Sequence, residues 1–168
     1  GSAAIAQLVA ERLEGLDAPI IFDPVMVATS GSALADGATI AAFERLMRLA
    51  TLTTPNVPEL AALGGDAALR ARGVTWLAKG GDADGAIVED RLERPGKDPV
   101  IWRAPRIVTR HAHGTGCTLS SAITTCLGAG MAIEPAIEQA REFVRAALLA
   151  APGFGSGHGP LGHHAAHG

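Results

Sequence analysis

Residues 18–27 read "APIIFDPVMV", and the reading of this stretch decides the fold. The apolar run at its centre is too short for a helix, is rich in β-branched and aromatic side chains, and stops at Asp23-Pro24. That pattern is a short buried strand. On its N-terminal side, "AAIAQLVAERLE" (3–14) carries Ile5, Leu8, Val9 and Leu13 at helical spacing, with Gly15 as a stop. On its C-terminal side, "GATIAAFERLMRLA" (37–50) gives an amphipathic helix through Ile40, Phe43, Leu46 and Met47, and "TLTTP" (51–55) a second short strand.

The alternation continues. After Asn56 come helical pieces in "VPELAAL" and "AALRAR", ended by Gly73, and then a strand with a glycine-rich exit, "VTWLAKGG". "AIVEDRLER" and "PVIWRAP", joined by the turn-like "PGKD", form a hairpin. Helices over 115–129 and 134–150 follow, the second with Pro135 in its first turn and a stripe through Ile137, Ala140, Val144 and Ala147. Helices alternating with short apolar strands specify an α/β fold with a mostly parallel sheet covered on both faces. The composition-biased end "HGPLGHHAAHG" is expected to fray.

Composition narrows the function. The chain has 168 residues, 48% apolar and 18% charged, which suits a single folded domain. Net charge is -3, basic residues form no stripe and tyrosine is absent, so a nucleic-acid surface is not expected. No apolar run is long enough to span a membrane. Cys117 and Cys126, nine residues apart on one helix, fall on opposite faces and cannot pair. Free thiols without a signal peptide point to a reducing, cytoplasmic setting. Cys126 reads as a small core residue.

Chemistry-bearing residues recur just after strand ends, the edge where open α/β sheets bind ligands. Asp23 is a carboxylate fixed by the following proline, or simply a turn aspartate. Asn56 and Glu59 in "TPNVPE" share one face of a nascent turn; they form either a capping box or the few ligands a hydrated Mg²⁺ needs. Lys79, followed by Gly80 and Gly81, either snorkels to solvent or meets a phosphate as a point charge. In "RHAHGTGCTLSSA" (110–122), Gly114, Thr115, Gly116 and Cys117 lead straight into a helix, where backbone N–H groups and the positive helix end can collect an anion. This is no Walker loop, because the lysine beside a hydroxyl residue is missing. Together, the four elements suit phosphoryl transfer. His111 and His113 shape the loop before the turn, while His158, His163, His164 and His167 resemble a metal tract by composition only.

The order and wording of "DPVMVATSG", "TPNVPE", "KGG", "HGTGCTLSSAI" and "GHGP" closely resemble the hydroxymethylpyrimidine/phosphomethylpyrimidine kinases of thiamine biosynthesis, within the ribokinase-like superfamily. The resemblance implies a three-layer α/β/α sandwich, a kinase domain over residues 1–162 with a His-rich tail over 163–168, and Mg-ATP-dependent phosphorylation of a hydroxymethylpyrimidine and then of its monophosphate. It makes Cys117 the catalytic base, where most ribokinase-like enzymes carry aspartate, and Gly114, Thr115 and Gly116 the anion hole. It assigns Asn56 and Glu59 to Mg²⁺ and its waters with Asp23 nearby, Lys79 with Gly80 and Gly81 to phosphate, and Val25 and Met26 to the pyrimidine pocket. ATP and Mg²⁺ are then the cofactors, the pyrimidine is the small-molecule partner, and a homodimer accords with the family's habit.

Two departures accompany the resemblance. The chain opens on Gly-Ser directly before a helix, and nothing matches the family's early glycine-rich "SGGAGIQAD"-like segment. The reading is therefore a domain incomplete at its N-terminus by roughly a third, and the stretch between Gly64 and Gly73 is also shorter than the family's. The rivals are a pyridoxal or pyridoxine kinase, whose relatives share the cysteine-bearing loop, and an inactive fragment or non-catalytic ligand-binding module on the same scaffold.

Overall fold

The computed structural model describes residues 2–26 and 36–165. Positions 27–31 of the "DPVMVATSG" motif, Gly1 and His167 lie outside the described residues. The chain divides into two compact units, Gly1–Ala104 and Pro105–Gly168.

In the first unit, α1 (Ala3–Leu13), α2 (Gly37–Leu49), α3 (Val57–Ala62) and α4 (Gly65–Arg72) accompany β1 (Ile21–Phe22), β2 (Leu52–Thr53), β3 (Trp76–Ala78), β4 (Ile87–Glu93) and β5 (Val100–Pro105). The strands lie in chain order, β1-β2-β3-β4-β5. β1/β2 and β2/β3 are parallel, each linked through helices as a parallel crossover requires, and β3/β4 is antiparallel. β1 and β2 are two residues long because the next turn of chain runs into Pro24 and Pro55, which donate no ladder hydrogen bond. The core gathers Phe43, Leu46, Met47, Leu69 and Trp76, with Phe22 edge-on to Phe43 at 5.1 Å between centroids. Each such buried side chain contributes about 1.5–3 kcal/mol.

Helix α1 corrects the sequence expectation. Its buried residues are Ala6 and Ala10, whereas Ile5 is 58% exposed and Leu8 and Val9 are also exposed. Small side chains let α1 lie close to α2, an approach that branched ones would prevent. Arg45 of α2 clamps the pair by reaching Glu14 at 2.6 Å and Glu11 at 3.6 Å. Ile5, Val9 and Leu13 instead line a groove of about 330 Å³ with Ile20, Phe22 and Phe43. The α2 stripe is as expected, with Phe43, Leu46 and Met47 buried and Ile40 packed against the core.

The second unit holds α5 (Thr115–Gly128) and α6 (Ile133–Leu149), followed by a 3-10 turn, His163–Ala165. The expected stripe of α6, Ile137, Ala140, Val144 and Ala147, is buried, and α5 buries Leu119, Ser120 and Ile123. Cys126 is half-buried, not the fully buried core residue expected, and makes no disulfide. The chain end differs from the frayed tail expected. Gly159, Leu161 and Gly162 are buried, and Gly162 N–H donates to Ala147 O on α6 at 2.9 Å. A side chain at Gly162 would strike the Ala150 carbonyl, so only glycine permits this approach. No helix among the described residues is long and apolar enough to cross a membrane.

Candidate functional site

In the first unit, the ends of three neighbouring strands bring Asp23, Asn56 and Lys79 together. Lys79 N–H donates to Pro55 O at 2.9 Å, and Lys79 bridges Asn56 in parallel, so the exits of β2 and β3 run side by side. The Lys79 ammonium then reaches across to Asp23 Oδ1 at 2.8 Å, and the Thr54 hydroxyl donates to the same oxygen at 3.1 Å. The side chains of Lys79 and Asp23 are only 11% and 15% exposed. The lysine is therefore a fixed charge at the sheet edge and does not snorkel into solvent.

Asn56 and Glu59 adopt the capping box. Asn56 Oδ1 accepts from Glu59 N–H at 2.9 Å, and Glu59 Oε2 accepts from Asn56 N–H at 2.8 Å. Glu59 is only 6% exposed. Burial pushes its carboxyl above the usual range; the Asn56 N–H and the Lys79 charge pull it back, and Asp23 and Asp82 push further upward. The glycines after Lys79 are held by a residue that the sequence reading did not single out. Gly80 N–H donates to Asp90 Oδ1 at 2.9 Å, and Asp90 is itself buried on β4. A side chain at Gly80 would collide with Glu89 O, so the loop packs directly on the hairpin backbone. The available signal was alternation: Asp90 stands two before the apolar Leu92, on the inward face of β4. Val25 is exposed and lines the groove beside Asp23, whereas Met26 is buried in the core cluster.

In the second unit, Gly114 opens α5 with φ 84°, a left-handed conformation that favours glycine. It places the chain at the helix start with no side-chain cap. Thr115 N–H bonds back to Ala112 O and Thr118 N–H to Gly114 O. Among the described residues, the amides of Gly116 and Cys117 have no acceptor, and Cys117 is exposed. Two free N–H groups and the positive end of a fourteen-residue helix make a place for negative charge. Among the described residues, the histidines join no group of three or more His, Cys, Asp or Glu that could hold a metal ion. His163 instead hydrogen-bonds Thr118, a contact the sequence reading missed because the tail's composition suggested solvent.

Comparison with known proteins follows the same line. The family described as phosphomethylpyrimidine kinase matches residues 1–162. The hydroxymethylpyrimidine/phosphomethylpyrimidine kinase of Streptomyces coelicolor is 40% identical over 96% of this chain, and the chain covers 65% of that protein. Among solved structures, an ADP complex of Bacillus subtilis pyridoxal kinase superposes with a TM-score of 0.84 at 29% identity, over 97% of this chain and 67% of that one. Pyridoxal kinase from Staphylococcus aureus in complex with AMP-PCP and pyridoxal gives 0.85 at 26% identity, over 98% and 65%. The chain thus spans about two thirds of the length of each of these three proteins. The fold is the ribokinase-like α/β fold, and the chain belongs to the phosphomethylpyrimidine kinase family.

Proposed function

We propose that this chain carries the phosphoryl-transfer residues of a kinase that phosphorylates hydroxymethylpyrimidine and its monophosphate from ATP in thiamine biosynthesis. The observation that carries the reading is the uncapped start of α5, where the exposed Cys117 stands on two backbone amides without acceptors. In this reading, the Gly114-Thr115-Gly116 turn holds the negative charge that builds up on the transferring group through the N–H dipoles of Gly116 and Cys117, since the Thr115 N–H is engaged by Ala112 O. Cys117 Sγ takes the proton of the substrate hydroxyl, or of its phosphate in the second step, as that oxygen attacks phosphorus. Lys79 stands against the nucleotide phosphates as a fixed charge, and Gly80 and Gly81 let the backbone approach them closely.

The donor set fits a hydrated Mg²⁺. Asp23 and Glu59 are two carboxylates near one strand edge, and Mg²⁺ keeps several of its own waters and needs one or two carboxylates. Bound metal would neutralise phosphate charge; Asp23, Glu59 and Asn56 would hold its waters. The Glu59 oxygen that the capping box leaves over would accept from such waters. Val25 belongs in this proposal to the wall on which the pyrimidine ring rests, whereas Met26 is buried in the core and supports no direct contact.

The experiment is ADP release from Mg-ATP by the 168-residue chain with hydroxymethylpyrimidine monophosphate, with pyridoxal in parallel. Turnover on the pyrimidine is expected. Turnover on pyridoxal alone would favour the substrate for which the similar solved kinases are named. Nucleotide binding with no ADP release from either ring, for this chain and for a full-length protein containing it, would make it a non-catalytic binding module.

A further inference from the structure

Residues 159–163, "GPLGH", bracket the Gly114 turn on both sides, and we infer that this segment is a positioning strap for that turn, with His163 as its clasp. This inference rests on the kinase reading for its consequence, though its geometry stands apart from it. Upstream of the turn, Pro160 pairs with His113 as a parallel bridge, and Gly159 packs close against the His111 ring, where a side chain would strike Nδ1. Downstream, His163 Nε2 lies 2.9 Å from the Thr118 hydroxyl in the first turn of α5. Between these points the strap is anchored independently of the turn. Leu161 is buried, Gly162 is held by Ala147 of α6 and packs against Ala150 at its end, and the His163 ring stacks on Phe143 of α6 at 6.3 Å and 16°.

The arrangement has a physical purpose. α5 begins on a glycine without a side-chain cap, so its first turn would fray if nothing else held it. The usual remedy, a Ser, Thr, Asp or Asn cap, would occupy the amides that the proposed chemistry needs. A clasp on Thr118, one residue past Cys117, restrains the turn from the side and leaves the Gly116 and Cys117 amides without an acceptor. His163 is thus a positioning residue and not a catalytic one.

The test separates its two contacts in the intact chain. His163→Phe retains a ring to stack on Phe143 and loses the bond to Thr118; His163→Gln retains a donor-acceptor group near Nε2 and loses the stack. Thr118→Val removes the other partner. Amide exchange measured by NMR at Thr118, whose N–H bonds Gly114 O at 2.8 Å, is expected to quicken about tenfold in His163→Phe and in Thr118→Val, with no further gain in the double variant and a return toward wild type in His163→Gln. Exchange at Ile123 and along α6 should stay unchanged. Where the wild-type chain turns over, kcat in His163→Phe should fall about tenfold with the KM for ATP held. Unchanged exchange at Thr118, or quickening spread evenly over α5 and α6, overturns the strap. Localised quickening in a chain whose wild type transfers no phosphate supports the strap and counts against the kinase reading alone.

Discussion

Replacing Lys79 by methionine should separate what the Lys79–Asp23 pair does for the fold from what it does for a ligand. At 2.8 Å and an effective dielectric constant near 20, the pair's attraction is about 6 kcal/mol. Most of that is offset by taking both groups out of water, so the intact pair adds little net stability. Removing one partner is different, because Asp23, 15% exposed, would keep its charge with the Thr54 hydroxyl as its remaining side-chain partner among the described residues. The expected loss is about 3–5 kcal/mol, or a fall in Tm on the order of 10 °C for a chain of this size. Substituting Asp23→Asn in the same chain removes the orphaned charge and should recover all but about 1 kcal/mol, since the amide oxygen still accepts from Thr54. Urea unfolding followed by tryptophan fluorescence measures all three proteins. Activity should not follow stability: both Lys79→Met and the double variant should lose most phosphoryl transfer. A single variant within about 1 kcal/mol of wild type, or a double variant no more stable than the single, would refute the reasoning about burial.

Glu59→Gln should keep the capping box, because glutamine also serves at that position, and should change stability at neutral pH by only a few tenths of a kcal/mol or raise it. Burial raises the folded Glu59 carboxyl above its unfolded value, so the folded state binds the extra proton and wild-type stability falls as pH rises from the usual glutamate value of 4.5 through the raised one; the variant should lack that segment of the slope in a melting series against pH. Asp90→Ala should leave Gly80 N–H buried and unpaired at a cost of about 1–3 kcal/mol, and should weaken nucleotide binding measured by calorimetry, whereas a mutant binding normally would remove Asp90 from the phosphate loop. Cys117→Ala should cut turnover by orders of magnitude with ATP affinity largely intact; near-normal turnover in a full-length protein would end its assignment as base.

Much of the fold was legible because its strands are short runs of β-branched and aromatic residues stopped by proline or glycine, and helices α1 and α4 run into Gly15 and Gly73, both in the left-handed conformation. The face of α1 was not legible. A helix carrying alanine and branched residues on several sides can bury either set, and the partner decides: α2 lies close enough that only Ala6 and Ala10 fit. The seat of the tail was equally hidden. Histidine and glycine look like solvent-loving filler until α6 offers a carbonyl to Gly162 and an aromatic ring to His163, partners that no local pattern announces.

The site residues show why residue type alone left each reading open. Asn56 and Glu59 admit a capping box and a metal role, and these are not exclusive. The box uses one oxygen of each side chain on backbone donors three residues apart, and so fixes where the remaining Glu59 oxygen stands. A carboxylate held this way and buried to 6% exposure loses little further freedom when it accepts from a water of a hydrated cation, which lowers the entropic cost of binding. The same holds for Lys79, which is immobilised by a carboxylate 56 positions earlier in the chain. A sequence reader sees the residue types that chemistry requires, but their pre-organisation comes from partners that only the fold brings near. A phosphate approaching Lys79 must then compete with Asp23 for the ammonium, so the proposed kinase should bind nucleotide more tightly in Asp23→Asn when metal is left out, and lose that advantage when Mg²⁺ is added. Calorimetry with ADP, with and without Mg²⁺, checks this. Equal affinities for the variant and wild type in both conditions would mean that the pair belongs to the scaffold and faces no ligand.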